Sequence, residues 1–395
     1  AQAVAARGSV RARRTGLRPS AAFGSMATAA PLGAVSAALG AELTGVAGLE
    51  AGGPRGPAPV SPPLDSGQFG CVKPTELFVR SFLGGGAQAQ VYKADWTRVF
   101  SATMSTITVA VKRLNADLNS MFRDRERLMM LMEHPNLVRC FDCTESPPYL
   151  IVSEFCAGGS LFDVLYNSSV QLEARQVAKI LVDVAAGMTC LHNQKPAILH
   201  RDLKSSNVLL MRPLRSAAQV PCAKVADFGL ARAFDEPEGS AGSSWHQMTL
   251  GVGTWRWMAP EVFEFDTNTP YDKSVDVFSY AMVVYEVLAK KLPYADNFPS
   301  DHVDPRIALR IRAGVRPEVP DEARWPRALP DLMKRAWDAD PRQRPNFEQI
   351  EAEVRVVLGS MPDTEEFFDL GLPVNPFPNS TAGASAPQNG ATDAG

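Results

Sequence analysis

The chain has 395 residues, with 40 Lys and Arg against 43 Asp and Glu, a length that supports one large or two small domains and a balance that excludes whole-molecule attraction to nucleic acid or an anionic membrane. Six cysteines, Cys71, Cys140, Cys143, Cys156, Cys190 and Cys222, lack the dense spacing of a secreted disulfide framework, so a reducing, cytoplasmic location is expected. No window approaches the roughly 18 unbroken apolar residues of a spanning helix, so no membrane span is expected.

Residues 1–72 are rich in Ala, Gly, Pro and Ser and read as a disordered extension, because they hold too little apolar bulk to offset chain entropy. Arg7, Arg11, Arg13, Arg14 and Arg18 all precede the first acidic residue, Glu42. That is also the composition of a transit peptide, so organelle targeting stands as an alternative to a basic tail. Short runs rich in Val, Ile, Tyr and Phe then predict strands at 76–82, 90–95, 106–113, 137–143 and 149–154. Cys140 and Cys143 form a CxxC pair in the fourth run, but no second pair follows at zinc-ligand spacing, and both read as buried thiols.

Helical periodicity takes over after these strands. Val177, Ile180, Leu181, Val184, Met188 and Leu191 recur at spacings of three and four and make one continuous helix face. The apolar run 275–289 predicts a core helix in spite of Asp276 and Glu286. Residues 359–395 turn to Pro, Ser, Asn, Gly and Ala and read as a disordered tail, with Phe367-Phe368 as a single apolar cluster.

Four segments carry chemistry. Leu83-Gly84-Gly85-Gly86-Ala87-Gln88-Ala89-Gln90-Val91 joins two strands, and its glycines let backbone N–H groups approach an anion, although a plain hairpin has the same composition. Val109-Ala110-Val111-Lys112 sets an ammonium in an apolar strand, where it either snorkels to water or reaches phosphate oxygens. His200-Arg201-Asp202-Leu203-Lys204-Ser205-Ser206-Asn207 gathers one acid, one amide and two cations in a loop before an apolar run ending at Leu210. There Asp202 suits a hydroxyl proton, Lys204 a phosphate charge and Asn207 a hard cation. Val225-Ala226-Asp227-Phe228-Gly229 follows, with a carboxylate of the kind Mg2+ prefers.

In this order the segments resemble the protein kinase family, over about residues 76–358. Further matches are His134-Pro135-Asn136, Ala259-Pro260-Glu261, Asp276 within Ser274-Val275-Asp276, and Arg344-Pro345 after Trp337. The resemblance implies an α+β, bilobal protein kinase fold. A small antiparallel β-sheet lobe with one helix would occupy 73–156, and a larger, mainly helical lobe 157–358. It implies ATP and Mg2+ as cofactors, with Asn207 and Asp227 as metal ligands and Asp202, Lys204 and Lys112 as further catalytic residues. Leu83, Gly84, Gly85, Gly86, Ala87, Gln88 and Ala89 would cover the triphosphate, while Val91, Ala110 and Leu209 would sandwich adenine. Ser153 would be the gatekeeper, and Glu154, Phe155 and Cys156 the hinge. Glu261 and Arg344 would form a buried ion pair.

Lysine two residues after Asp202, Thr254, and the wording Gly253-Thr254-Trp255-Arg256-Trp257-Met258 are similar to the tyrosine-kinase-like group, including Raf-like and mixed-lineage kinases, which act mainly on Ser and Thr. Protein substrates are therefore implied, as is an upstream kinase acting near Ser240, Ser243, Ser244 or Thr249, with Arg201 as the phosphate partner. Three positions depart from the family pattern. Ala89 stands at the third glycine and Ala281 replaces a usual glycine. The partner of Lys112 is displaced: the usual register gives Arg125, flanked by Asp124 and by Glu126, which is the favoured partner. A pseudokinase that binds nucleotide and regulates a partner is the alternative reading.

Overall fold

Two-residue alternation builds the small lobe. The computed structural model describes residues 72–85, 89–100, 103–115, 132–144, 146–227, 232–233, 254–263, 272–296, 305–320 and 324–362. Within them, β1 (Leu77–Gly85), β2 (Ala89–Phe100), β3 (Thr103–Leu114), β4 (Cys140–Cys143) and β5 (Leu150–Glu154) form one antiparallel sheet in the order β1-β2-β3-β5-β4. Tyr92, Ala94 and Trp96 of β2, Val109 and Val111 of β3, and Leu150 and Val152 of β5 are buried in one cluster. Side chains alternate across a strand. Val91, Ala110, Lys112, Ile151 and Ser153 therefore share the opposite face, and the register pairs Val91 with Lys112, Lys112 with Ile151, and Ala110 with Ser153.

The sequence reading needs three adjustments here. Strands β2 and β3 run past the expected 90–95 and 106–113, because they continue to pair as a hairpin beyond the core, where the Thr97 and Thr106 hydroxyls lie 2.8 Å apart. Strand β4 is shorter than 137–143, because Leu137 and Val138 turn to the large lobe: the Val138 N–H donates to the Val225 carbonyl at 2.8 Å. The folded unit also begins before residue 73 and ends after 358. Val72 is buried against the small-lobe core, and the Arg175 guanidinium donates to the carbonyls of Met361 and Pro362.

The large lobe begins with α1 (Leu161–Tyr166), whose Ser160 and Asp163 cap one another reciprocally, and α2 (Ala174–His192), capped likewise by Glu173 and Gln176. The predicted apolar face of α2, Val177 to Leu191, is buried. Two short antiparallel pairs follow: β6 (Ile198–Leu199) with β9 (Arg232–Ala233), and the hairpin of β7 (Val208–Leu210) with β8 (Ala223–Val225). Helix α3 (Ser274–Ala289) is buried from Val275 to Leu288, the condition of a helix apolar all round. Helices α4 (Pro305–Arg312), α5 (Ala328–Ala336) and α6 (Phe347–Gly359) complete the lobe, with α5 against α3 and α6 against α2. No helix among the described residues is long and apolar enough to cross a membrane.

Candidate active site

Register alone brings the metal-ligand candidates together. In the β7-β8 hairpin Val208 pairs with Val225, so Asn207 and Asp227 emerge at the same end. The Ala226 N–H donates to the Asn207 carbonyl at 2.8 Å and closes that end. Asn136 fixes β8 from the other side, since its carbonyl accepts from the Val225 N–H at 2.8 Å and its Nδ2 donates to the Ala223 carbonyl at 2.9 Å.

Across the cleft, Lys112 Nζ lies 2.6 Å from Asp227 Oδ1, joining β3 to the segment after β8. Asp227 takes a left-handed backbone, φ 64°, and keeps 45% of its side chain open. Partial desolvation in the cleft pushes its carboxyl up, but the Lys112 ammonium, with Lys204 behind it, wins and holds it at about 2. It is a carboxylate at any physiological pH.

Asp202 is the centre of the loop. Its carboxylate accepts from Lys204 Nζ at 2.9 and 3.0 Å and from Asn207 Nδ2 at 3.0 Å. Asn207 Nδ2 also donates to the Asp202 carbonyl at 2.8 Å, so both amide hydrogens are spent and Oδ1 is the end left for a cation. The Asp202 N–H donates to His200 Nδ1 at 3.2 Å, which puts the imidazole proton on Nε2, and that nitrogen donates to the Ala226 carbonyl at 3.0 Å.

Beneath the loop, Asp276 is fully buried and accepts from the His200 N–H at 2.9 Å, the Arg201 N–H at 2.8 Å and His192 Nε2 at 2.8 Å. Burial raises its carboxyl, and these donors more than reverse that, leaving it below the usual carboxylate range. The pair of donated amides holds Arg201 at φ 66°, a conformation costly for a residue with a Cβ.

The hinge candidates divide by role. Glu154 commits its carboxylate to the Arg139 N–H at 2.6 Å and to buried Lys224 Nζ at 2.7 Å, so the side chain turns toward β8. The Cys156 thiol is buried, donates to Met211 Sδ at 3.6 Å, and is pushed up to about 12 by burial and the Glu154 charge, so it remains a thiol. Leu209 packs with Cys156 and Ala226. Gly158 lies so close to the carbonyls of Leu210 and Arg212, 2.6 and 2.4 Å from where a Cβ would stand, that no larger residue fits.

Leu83, Gly84, Gly85, Ala89 and Val91 lie on β1 and β2 beside Lys112. Gly86, Ala87, Gln88, Asp124, Arg125 and Glu126 lie outside the described residues, as do Phe228, Gly229 and the serines and threonine named as phosphorylation sites. The expected pair of Arg344 and Glu261 is bidentate at 2.6 and 3.0 Å, with Arg344 fully buried. Sequence reasoning missed the Lys224 to Glu154 pair, the need for Gly158, and the bonds of Glu286; for Glu286 the signal was available, a charge inside an apolar helical run.

Comparison with known proteins agrees with this geometry. Residues 77–354 match the family model for protein tyrosine and serine/threonine kinases. The chain is 34% identical over 288 residues to serine/threonine-protein kinase STY17 of Arabidopsis thaliana, covering 71% of this chain and 46% of the relative. It is 33% identical over 315 residues to serine/threonine-protein kinase VIK of the same plant, covering 78% and 66%. To a probable serine/threonine-protein kinase of Dictyostelium discoideum, drkC, it is 32% identical over 290 residues, covering 71% and 35%. The chain thus spans about half the length of the first of these relatives and a third of the last. With its motifs assembled around one cleft and a family match over more than half its length, the chain belongs to the protein tyrosine and serine/threonine kinase family.

Proposed function

We propose that this chain is an ATP-dependent protein kinase that transfers the γ-phosphate to serine or threonine hydroxyls of other proteins. The observation that carries the reading is the 2.6 Å contact between Lys112 and Asp227 across the cleft, beside the Asp202, Lys204 and Asn207 cluster. Use of ATP and Mg2+ is general in the family. The donor set fits a hard cation, since a half-open carboxylate on Asp227 and the Oδ1 of Asn207 emerge at one hairpin end. Those two residues would hold the magnesium, which when bound neutralises phosphate charge.

The remaining work falls to the chain's own side chains. Lys112 would hold phosphate oxygens, released from Asp227 as the anion takes its place. Asp202, anchored by Asn207, would accept or align the hydrogen of the acceptor hydroxyl, while Lys204 would pass its charge from Asp202 toward the transferring phosphoryl group. Val91 and Ala110, on the cleft face of the sheet, would line one side of the adenine and Leu209 the other, with Ser153 and the main chain of Glu154, Phe155 and Cys156 along its edge. Lys204, two residues after Asp202, and the similarity to serine/threonine-protein kinases support Ser and Thr over Tyr as acceptors. An upstream kinase acting on the segment between Asp227 and Glu261, in the cytoplasm, completes the reading.

The test is incorporation of radiolabelled phosphate into a generic basic protein with and without magnesium. We expect magnesium-dependent transfer by the wild type and its loss in Asp227→Ala. Absence of transfer by the folded wild type would leave the nucleotide-binding scaffold as the better description.

A further inference from the structure

The large lobe holds a cavity of about 290 Å3 that shares no residue with the cleft. Its walls come from three stretches of chain. Tyr285 lies near the end of α3, Tyr294 and Asp296 follow that helix, and Arg316 and Glu318 stand on the chain leaving α4, with Val315 and Pro317 as apolar wall between them. The inner end is polar and has little to bond. Tyr294 is only 1% exposed, and its hydroxyl has no hydrogen-bond partner among the described residues. Burial drives that phenol far above its ordinary value. The Arg316 guanidinium is near enough to offset part of this, yet no hydrogen bond satisfies the oxygen.

Arg316 is itself half satisfied. Its Nε donates to the Trp337 carbonyl at 2.9 Å, and Nη1 spends its hydrogens on the carbonyls of Ile311 and Val315 at 3.2 and 3.0 Å. Among the described residues Nη2 has no acceptor, and no carboxylate pairs with the charge. Two carboxylates stand toward the mouth. Asp296, 51% open, is answered by Lys291 Nζ at 3.1 Å. Glu318 makes neither hydrogen bond nor ion pair among the described residues. Both acids lie near the Tyr285 hydroxyl: burial, then their charges, push that phenol up to about 12, so it stays protonated.

A buried hydroxyl without a partner is costly, and phenylalanine would fill the same space without that cost, so packing does not account for the oxygen of Tyr294. A phenol O–H and a guanidinium N–H side by side call for one acceptor, and a carboxylate has oxygens for both. Glu318 calls for a cation. The charges of Lys291, Asp296, Arg316 and Glu318 cancel, so a ligand with one end of each sign fits better than a net ion. The volume lies at the bottom of the roughly 300 to 1,000 Å3 of small-molecule sites, which suits a single amino acid. The Tyr285 ring, Val315 and Pro317 offer its side chain an apolar wall. We propose that this cavity binds a free apolar α-amino acid, with its carboxylate on Tyr294 and Arg316 and its ammonium on Glu318. The site stands on the geometry of the large lobe and is independent of the kinase reading.

The empty site makes a prediction of its own. Tyr294→Phe keeps the ring and removes only an oxygen that nothing in the protein bonds, so without ligand the variant should unfold at the wild-type temperature or above it. A lower midpoint would show that the hydroxyl has an internal partner and serves the fold, which overturns the site.

Calorimetric titration of the full chain tests binding with three probes of one shape: L-leucine, isoamylamine, which lacks the carboxylate, and isocaproate, which lacks the amine. We expect saturable one-to-one binding of L-leucine, about tenfold tighter than either one-ended analogue, since each end contributes a charge-assisted bond. Tyr294→Phe and Glu318→Gln should each weaken L-leucine by about tenfold, and Glu318→Gln should bring it level with isocaproate. Saturating Mg-ATP should leave the titration unchanged, because the cavity lies outside the cleft. Absence of saturable heat from L-leucine overturns the proposal, as does equal binding of the one-ended analogues, indifference to both substitutions, or displacement by Mg-ATP. A wild type that binds L-leucine in this way but transfers no phosphate upholds the site and sinks only the kinase reading.

Discussion

The cleft and the bed of α3 beneath it both hold charge, on opposite terms. In the cleft the Lys112 and Asp227 side chains keep 19% and 45% of their surface open, and they pair with each other where a ligand can compete. In the bed, Asp276, Glu286 and Arg344 are buried. Asp276 and Glu286 are satisfied by backbone amides, a histidine, an indole and hydroxyls, and Arg344 by the Glu261 carboxylate and two carbonyls. The difference separates reactivity from placement. Charges that must change partners stand where water and ligand can compete, and charges that aim them are sealed where no exchange is available.

Substituting Asp202 breaks the comparison on the cleft side. Asp202→Asn keeps the shape that Asn207 and Lys204 hold, yet removes the base, so turnover should fall by about a thousandfold, within the range of general-base contributions. ATP affinity and the urea midpoint should stay near wild type. A turnover within tenfold of wild type would remove Asp202 from the chemistry.

On the bed side the expected loss is of stability first. Asp276→Asn presents an amide hydrogen to at least one of three donors, at a cost of about 3 kcal/mol in urea unfolding. The strained backbone of Arg201 would then lose its tether. The pH dependence has a definite sign. Because the folded carboxyl lies below its unfolded value of 3.8, its contribution is fully present above that pH and is lost as pH falls through the lower folded value. The gap between wild type and Asp276→Asn should therefore narrow in acid and be constant from pH 5 upward. A gap that widened in acid would show that Asp276 is not held as the anion.

Much of the cleft was legible in the sequence, because its chemistry is carried by residue types that have few other uses in a loop. Asp202, Asn207 and Asp227 stood out in this way, and strand alternation then places Val91, Ala110 and Lys112 on one face. The strands themselves were legible as apolar runs, but their ends were not. β2 and β3 outlast their apolar residues through mutual pairing, and Leu137 left its run to join β8, a tertiary preference that no local pattern carries. The bed was illegible for the same reason. Asp276 and Glu286 read as charges in an apolar helix, but their donors come from residues up to 120 positions away. The Lys224 to Glu154 pair, 70 positions apart, likewise had no local signature.

The smallest effect sharpens the comparison most. Arg344 and Arg355 both form ion pairs near or on α6, at the same 2.6 Å to a glutamate. Arg344 is sealed, its guanidinium fork closed on Glu261 and on the carbonyls of Asp338 and Ser274. Arg355 is 57% open and, among the described residues, bonds only Glu351, one turn earlier on its own helix. Distance is therefore equal and solvent differs. Arg355→Ala should shift urea unfolding by less than about 0.5 kcal/mol, as exposed helix pairs do, and that small shift should vanish in 1 M salt. A loss several times larger, or one indifferent to salt, would mean that contact distance rather than burial decides what an ion pair contributes in this lobe, and the division between reactive cleft and sealed bed would lose its physical basis.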